Sequence, residues 1–398
     1  MRVLASLRCY FESRVEVHAA RVRSVLAGVG GLLAGGVLTL TSVGRGASPS
    51  SSERHGIKRI DRLLGNEDLA RDRIAFFAAI AERILGGNRP TIVVDWTEAT
   101  IHRFCVLYAA VAFEGRAIPI YAETHPINLL SNTRIEQRFL LQLAAVIPKR
   151  CRPILVLDAG FRPMMWGNIL RLGWDFVVRI RSGILVTINA TRGDNRRDWA
   201  KSQSLYGHAR RRPRDLGLRL VSRTHRHTLR VIVVDQRSKE ARGPLTNFRR
   251  RNAEKTAAQS AREPWLLVTS LDETASAAVI TAIYAKRMQI EETLRDTKNP
   301  RFGWKLEYSG SRSPARIDVL LLIGAIASLV ALLLGFAGER SRLQYRYQAN
   351  TRRHRRVLSL LTLGRRLLLS LPTEIEWRLP ILFDDVARRL TELEPCFK

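Results

Sequence analysis

From Arg89 onward the sequence breaks into short apolar runs, and their order restricts the fold more than any other feature of the chain. PTIVVD, FCVLYAAVAF and RAIPIYAE follow one another with only polar or glycine-containing breaks between them, which predicts three strands in a meander. NTRIEQRFLLQLAAVI then carries helical spacing, and CRPILVLDAGF returns to a buried strand. MMWGNILRLGW predicts another helix and DFVVRIR another strand. A mixed sheet covered by helices accommodates this succession.

The order is that of a ribonuclease-H-like core. The expected fold class is α/β: a ribonuclease-H-like mixed-sheet core with a β-rich insertion and helical N-terminal and C-terminal regions. Residues 1–85 form a helical, basic region by periodicity, and residues 86–184 form the first part of the core. Residues 185–264 form the insertion, where ILVTINATR, LRLVSRTH and TLRVIVVDQR alternate with charged faces. WLLVTSL resumes the core over residues 265–338, and residues 339–398 close the chain in amphipathic helices.

Charge sets the class of partner. The 398 residues hold 66 Lys plus Arg against 36 Asp plus Glu, a formal net charge of +30, spread through every segment. With 46% hydrophobic residues the chain is globular, so the excess charge points to a polyanion, nucleic acid first and an anionic membrane surface second. Arg21, Arg23, Arg45, Arg54, Lys58, Arg59 and Arg62 make residues 1–85 a DNA-binding head. Arg210-Arg211-Arg212 and Arg249-Arg250-Arg251 are backbone contacts or equally well solvated loops, because the two look alike in sequence.

Cys9, Cys105, Cys151 and Cys396 lie too far apart for a C-x-x-C spacing and read as reduced thiols of a cytoplasmic protein. Two apolar stretches bear on membranes. Val25 to Val43 resembles a signal-peptide core but lacks a convincing cleavage site, and Val319 to Ala337 has the length of a bilayer span. Basic residues flank the second stretch on both sides, so it carries no orientation signal. Hydropathy alone does not separate a span from a fully buried core helix; the expectation is a core helix and no membrane partner.

Tyr284, Arg287, Glu291 and Lys298 follow at steps of three, four and seven residues in ITAIYAKRMQIEETLRDTK. At about 100° per residue, one helix places all four within a stripe about 60° wide. Ile283, Ile290 and Leu294 form an apolar stripe beside it, so the helix buries one edge and presents a carboxylate, two cations and a phenol to one ligand. Charged residues at this spacing most often form only a solvated face. These residue types fit a phosphate chain held near a metal-binding carboxylate. Glu292 lies about 100° away from Glu291 around the helix and falls outside the stripe.

Two more acids, Asp95 in TIVVDWT and Asp158 in ILVLDAGF, stand at the ends of predicted core strands. Such a position aims a carboxylate into a cleft, although a strand-terminal Asp is more often a turn or cap residue. Three carboxylates from three elements bind hard divalent cations through oxygen, and a pair of Mg²⁺ or Mn²⁺ ions promotes phosphodiester hydrolysis.

WTEAT, DAGF, LGWDFVVRIRSG, PWLLVTSL, the Tyr-Arg-Glu-Lys set and RFGWKLEYSGSRSPARIDVLLLIGAIA together resemble a DDE transposase of the bacterial insertion-sequence-four family. The likeness runs from about residue 25 to residue 340, with the motifs in the family's order. The resemblance implies cut-and-paste DNA transposition with two Mg²⁺ ions, for which Mn²⁺ substitutes. It implies a metal-binding catalytic triad of Asp95, Asp158 and Glu291. Tyr284, Arg287 and Lys298 would grip phosphates at the transposon end, and Trp265 would stack a flipped-out base, unless Trp265 merely starts a core strand. The implied partners are double-stranded DNA, as terminal inverted repeats and as target, and a second copy of the chain in a homodimeric complex at the nucleoid. The alternative is a catalytically inactive DNA-binding relic or regulator of the same fold; the complete acid and cation sets favour the enzyme. A basic membrane-associated protein is a third reading, which partitioning through Val319 to Ala337 would favour.

Overall fold

The computed structural model describes residues 2–47, 52–87, 89–99, 103–181, 183–188, 198–236, 263–299, 303–349, 351–352, 354–370 and 378–397. The chain divides into two units, Met1–Pro153 with Lys286–Glu394 and Ile154–Ala285 with Pro395–Lys398.

The first unit opens with five helices: α1 (Arg2–Glu12), α2 (Ala19–Gly35), α3 (Leu40–Gly46), α4 (Glu53–Leu64) and α5 (Glu67–Ile84). Thr39, Ser52 and Asn66 start the last three, each side chain accepting the backbone N–H three residues on, which satisfies a donor that the helix leaves unpaired. The predicted meander follows as β1 (Thr91–Ala99), β2 (Phe104–Phe113) and β3 (Arg116–Pro126), antiparallel throughout. Glu114 and Gly115 turn β2 into β3 with φ of 46° and 80°, the left-handed pair that a two-residue hairpin requires. Every residue of β2 is buried, so this strand is covered on both faces. Helix α6 (Thr133–Val146) follows, capped by Asn132.

The second unit contains β4 (Ile154–Leu157), α7 (Pro163–Arg171), β5 (Asp175–Arg179), β6 (Leu185–Thr187), β7 (Trp199–Lys201), β8 (Arg214–Val221), β9 (His227–Val234), β10 (Trp265–Thr269) and α8 (Ala277–Ala285). β4 and β5 pair in parallel, and α7 lies between them in sequence. β10 pairs antiparallel with β5 on one side and with β9 on the other, after which β8, β6 and β7 extend the sheet. Strands of the basic segment thus continue the sheet that holds the core strand β10. The Arg249-Arg250-Arg251 cluster lies outside the described residues.

The chain then returns to the first unit with α9 (Met288–Lys298), α10 (Pro314–Arg340), α11 (Leu360–Ser370) and α12 (Leu379–Glu392). Pairing in both senses with flanking helices makes this the α/β, ribonuclease-H-like fold. Helix α10 contains the Val319 to Ala337 stretch. It is long and apolar enough to cross a bilayer, with a mean hydropathy of 2.8, but 94% of that window is buried against the rest of the protein. It packs on α2, α5, β3 and α11, the place of a core helix. One acid interrupts its apolar surface. Asp318 Oδ1 accepts from Thr124 N at 2.8 Å, and Oδ2 lies 3.2 Å from Arg73 Nη2. Burial pushes the Asp318 carboxyl up to about 6 in spite of Arg73.

The single helix predicted from Tyr284 to Lys298 is corrected to two. α8 ends at Ala285 and α9 starts at Met288, with Lys286 and Arg287 in a turn. The backbone ladder tightens there to bonds from Gln289 N to Lys286 O and from Ile290 N to Arg287 O. Lys286 Nζ meanwhile donates to Leu393 O at 2.8 Å, a tertiary contact that accompanies the break. The strand-end position of Asp95 is also corrected. Asp95 is the fifth of nine residues in β1 and pairs with Tyr108, because the ladder to β2 runs on through Ala99 after the apolar run has stopped.

Candidate active site

Strand alternation gives β1 two chemistries. Asp95 and Thr97 share one face, and Trp96 takes the other, where its Nε1 donates to Glu136 Oε1 at 3.1 Å. Helix α9 is fixed beside the meander by its buried edge. Ile290 and Leu294 are buried as their stripe predicted, and Thr293 Oγ1 accepts from Ala117 N of β3 at 2.7 Å. The adjacent edge of α9 carries Glu291 and Lys298, with Arg287 in the turn just before it.

Arg287 Nη1 lies 2.6 Å from Glu291 Oε1 and 3.8 Å from Asp95 Oδ2. One guanidinium nitrogen therefore faces both acids. Lys298 Nζ donates to Thr97 Oγ1 at 2.7 Å and to Glu98 O at 3.2 Å. Burial pushes the Lys298 ammonium below its ordinary pKa, while Glu307, Glu98 and Asp95 pull it back up. Asp95, Glu291 and Lys298 line a cavity of about 450 Å³ together with Glu307. A second cavity of about 420 Å³ runs along Thr97 to Ala99 and shares Lys298 and Glu307 with the first. Glu292 points elsewhere, pairing with Arg116 at 3.6 Å and with Arg295.

The first unit thus brings together Asp95, Arg287, Glu291 and Lys298. Asp158, Trp265 and Tyr284 belong to the second unit. Asp158 directly follows β4, and its Oδ1 accepts from Gly160 N at 2.7 Å, an Asx-type turn. Trp265 starts β10, and the buried Tyr284 ring meets it edge-on with centroids 4.9 Å apart. Arg210, Arg211 and Arg212 are exposed. Glu307 and Thr97 were not legible as site residues. Glu307 shares no periodic face with the other acids, whereas the position of Thr97, two residues from Asp95 on a strand, was available as a signal.

The donor chemistry fits a hard divalent cation. Of the three carboxylates on this cavity, Asp95 and Glu291 already accommodate a positive group between them, the Arg287 guanidinium. Among the described residues no group of three or more His, Cys, Asp or Glu stands close enough to hold a metal, so Asp95 and Glu291 are an incomplete ligand set by themselves.

A family model described as the transposase DDE domain matches residues 86–330. No curated protein matches the chain. With well over half of its length matched, across the span that carries Asp95, Asp158 and Glu291, the chain belongs to the DDE transposases, a family of DNA-cleaving and strand-transferring enzymes that bind DNA and generally use divalent metal ions.

Proposed function

We propose that the chain is a cut-and-paste transposase of the insertion-sequence-four family, acting on the terminal inverted repeats of its own element and joining them to target DNA. The observation that carries this reading is the placing of Asp95 and Glu291 around Arg287 on one cavity, with Lys298 at its edge. Asp95, Asp158 and Glu291 would hold two Mg²⁺ ions, or Mn²⁺ in their place. Ions bound there supply Lewis acidity at the scissile phosphate and lower the pKa of an attacking water.

The chain's own groups position the substrate. Arg287 and Lys298 offer charge to non-bridging phosphate oxygens, Arg287 through a planar fork and Lys298 as a point charge. Trp265 would offer an aromatic face to an unstacked base, and Tyr284, whose ring is buried against Trp265, would meet the transposon-end backbone through its hydroxyl. The large positive charge outside the site would hold the remaining phosphates of two ends and a target, and acting on two ends at once would call for a homodimeric DNA complex, at the nucleoid.

The test is cleavage of a DNA fragment carrying the element's own ends, in Mg²⁺, by wild type and by Asp95→Ala, Asp158→Ala and Glu291→Gln. Each substitution is expected to lower cutting on the order of a thousandfold or more while end binding persists. Undiminished cutting by any one variant removes that residue from the triad.

A further inference from the structure

We propose that Arg287 is the resident counter-cation of the acid pair in the DNA-free protein, and that its transfer to a DNA phosphate opens the pair to a divalent cation. The inference rests on the functional reading above. It assigns Arg287 a second role, as the group that makes metal binding depend on DNA.

The geometry singles out Arg287 from the two cations at the site. Its Nη1 faces Glu291 Oε1 at 2.6 Å and Asp95 Oδ2 at 3.8 Å, whereas Lys298 Nζ is spent on Thr97 Oγ1 and the Glu98 carbonyl. The Asp95 and Arg287 side chains are only 13% and 22% exposed, so water screens their attraction poorly. A guanidinium stays charged at every accessible pH and cannot vacate the site by losing a proton. It must be drawn off by a competing anion.

The long side chain supplies the freedom to move, on a backbone that is helical at Arg287 with φ of −52° and ψ of −37°. Arg287 sits in the two-residue turn before α9, outside the regular helical ladder, and Met288 beside it is 47% exposed. A phosphate at the cavity mouth offers the guanidinium two oxygens in the geometry that its fork prefers. While Arg287 stays between the carboxylates it repels a divalent cation and occupies a lone pair of Glu291. Once it has moved, both carboxylates face the cavity without the Arg287 charge between them. By linkage, DNA phosphate and divalent cation then raise each other's affinity by one common factor. Couplings of this kind run roughly 5- to 150-fold.

The experiment titrates Mn²⁺ into the DNA-free full chain and reads free Mn²⁺ by electron paramagnetic resonance. Wild type is compared with Arg287→Met, Arg287→Gln, Lys298→Met, Asp95→Asn and the Asp95→Asn/Arg287→Met double variant, each checked for folding by its thermal melt. Two replacements at Arg287 guard against the failure of either one to fold. Removing the placeholder is expected to tighten Mn²⁺ binding about tenfold or more in both, with the gain abolished by Asp95→Asn. Lys298→Met is expected to tighten it much less. Unchanged or weaker Mn²⁺ binding in both Arg287 variants, with that binding still lost in Asp95→Asn, overturns the placeholder and leaves the functional reading standing. Tightening by Lys298→Met equal to that of Arg287→Met also overturns it, since any nearby charge would then serve. Mn²⁺ binding that ignores Asp95→Asn in every background overturns the functional reading itself.

Discussion

The core helix α10 meets α11 through two glycines, and replacing them tests whether a backbone contact holds the first unit together. A Cβ on Gly335 would lie 2.0 Å from Leu360 O, and one on Gly364 would lie 1.8 Å from Ala331 O. Both obstacles are backbone, so no side chain can swing aside. Ordinary contact begins near 3.4 Å, which means that α10 and α11 must part by about 1.4 Å for the first substitution and about 1.6 Å for the second. Overpacking of this kind sits at the upper end of its usual range, about 3 kcal/mol, and the better helix propensity of Ala returns about 1 kcal/mol. Gly335→Ala and Gly364→Ala should therefore each destabilise by about 2 kcal/mol. The two contacts lie one helical turn apart on each helix, so the separation forced by one substitution makes room for the other. The propensity gain is obtained twice while the separation is shared, so the double variant should cost about 1 kcal/mol, well short of additivity. Gly338→Ala is the control on the same helix: its Cβ would meet only the tip of Leu367, a flexible side chain, and stability should stay within about 1 kcal/mol of wild type. Urea midpoints compared at a common slope measure all four variants. Equal losses at Gly335 and Gly338, or additive losses at Gly335 and Gly364, would refute the reasoning.

Three further outcomes are expected. Because burial lowers the Lys298 pKa, its charge is lost at a lower pH than that of a free lysine, so DNA affinity in wild type should fall with rising pH before a free lysine would titrate, and should not do so in Lys298→Arg; parallel curves in a filter-binding assay count against a phosphate role. Asp318 has the opposite linkage from a salt-bridged acid: its folded-state pKa is raised from 3.8 to about 6, so its stabilising contribution is full below 3.8 and lost as pH rises through 6. The stability of wild type relative to Asp318→Asn should drop by about 3 kcal/mol across that window, and a pH-independent difference in urea midpoints would exclude the shift. On α4, Arg54, Lys58, Arg59 and Arg62 are exposed and make no ion pair among the described residues, whereas Arg21 is held by Asp68 and Asp72 and Arg45 by Glu53. Changing all four α4 residues to Gln should lower the slope of log affinity against log salt by up to about 3.6, and an unchanged slope would remove α4 from the DNA interface.

Local pattern carried the sequence reading wherever the local signal was strong. The meander was legible because its three apolar runs are separated by residues that cannot continue a buried strand, and the buried edge of α9 was legible because Ile290 and Leu294 repeat at helical spacing. The break before α9 was not, since Ala285-Lys286-Arg287-Met288 contains neither Gly nor Pro and the accompanying contact, Lys286 to Leu393, spans 107 positions. Asp95 was misplaced for a related reason. Hydropathy reports where burial ends, and the β1 ladder continues past that point because β2 is long enough to pair with Trp96, Thr97, Glu98 and Ala99. Glu307 entered the cavity by tertiary folding alone, from a short turn after α9 that shares no period with it.

The corrected place of Asp95 bears on how the site is held. A residue at the end of a strand is fixed by backbone pairing on one side only, whereas Asp95 has paired residues both before and after it in β1. Its carboxylate is thus carried on one of the stiffest backbones in the first unit, with Trp96 anchored on the opposite face by Glu136. Glu291 stands on a helix, and its side chain is 41% exposed, so rotamer freedom remains at that end of the pair. Arg287 joins the two from a turn. One acid is rigid, the other adjustable, and the cation between them is carried on a long side chain just before α9. A substrate phosphate that competes for Arg287 therefore acts on the part of the site that gives most easily, and Asp95 need not move for the arrangement to change.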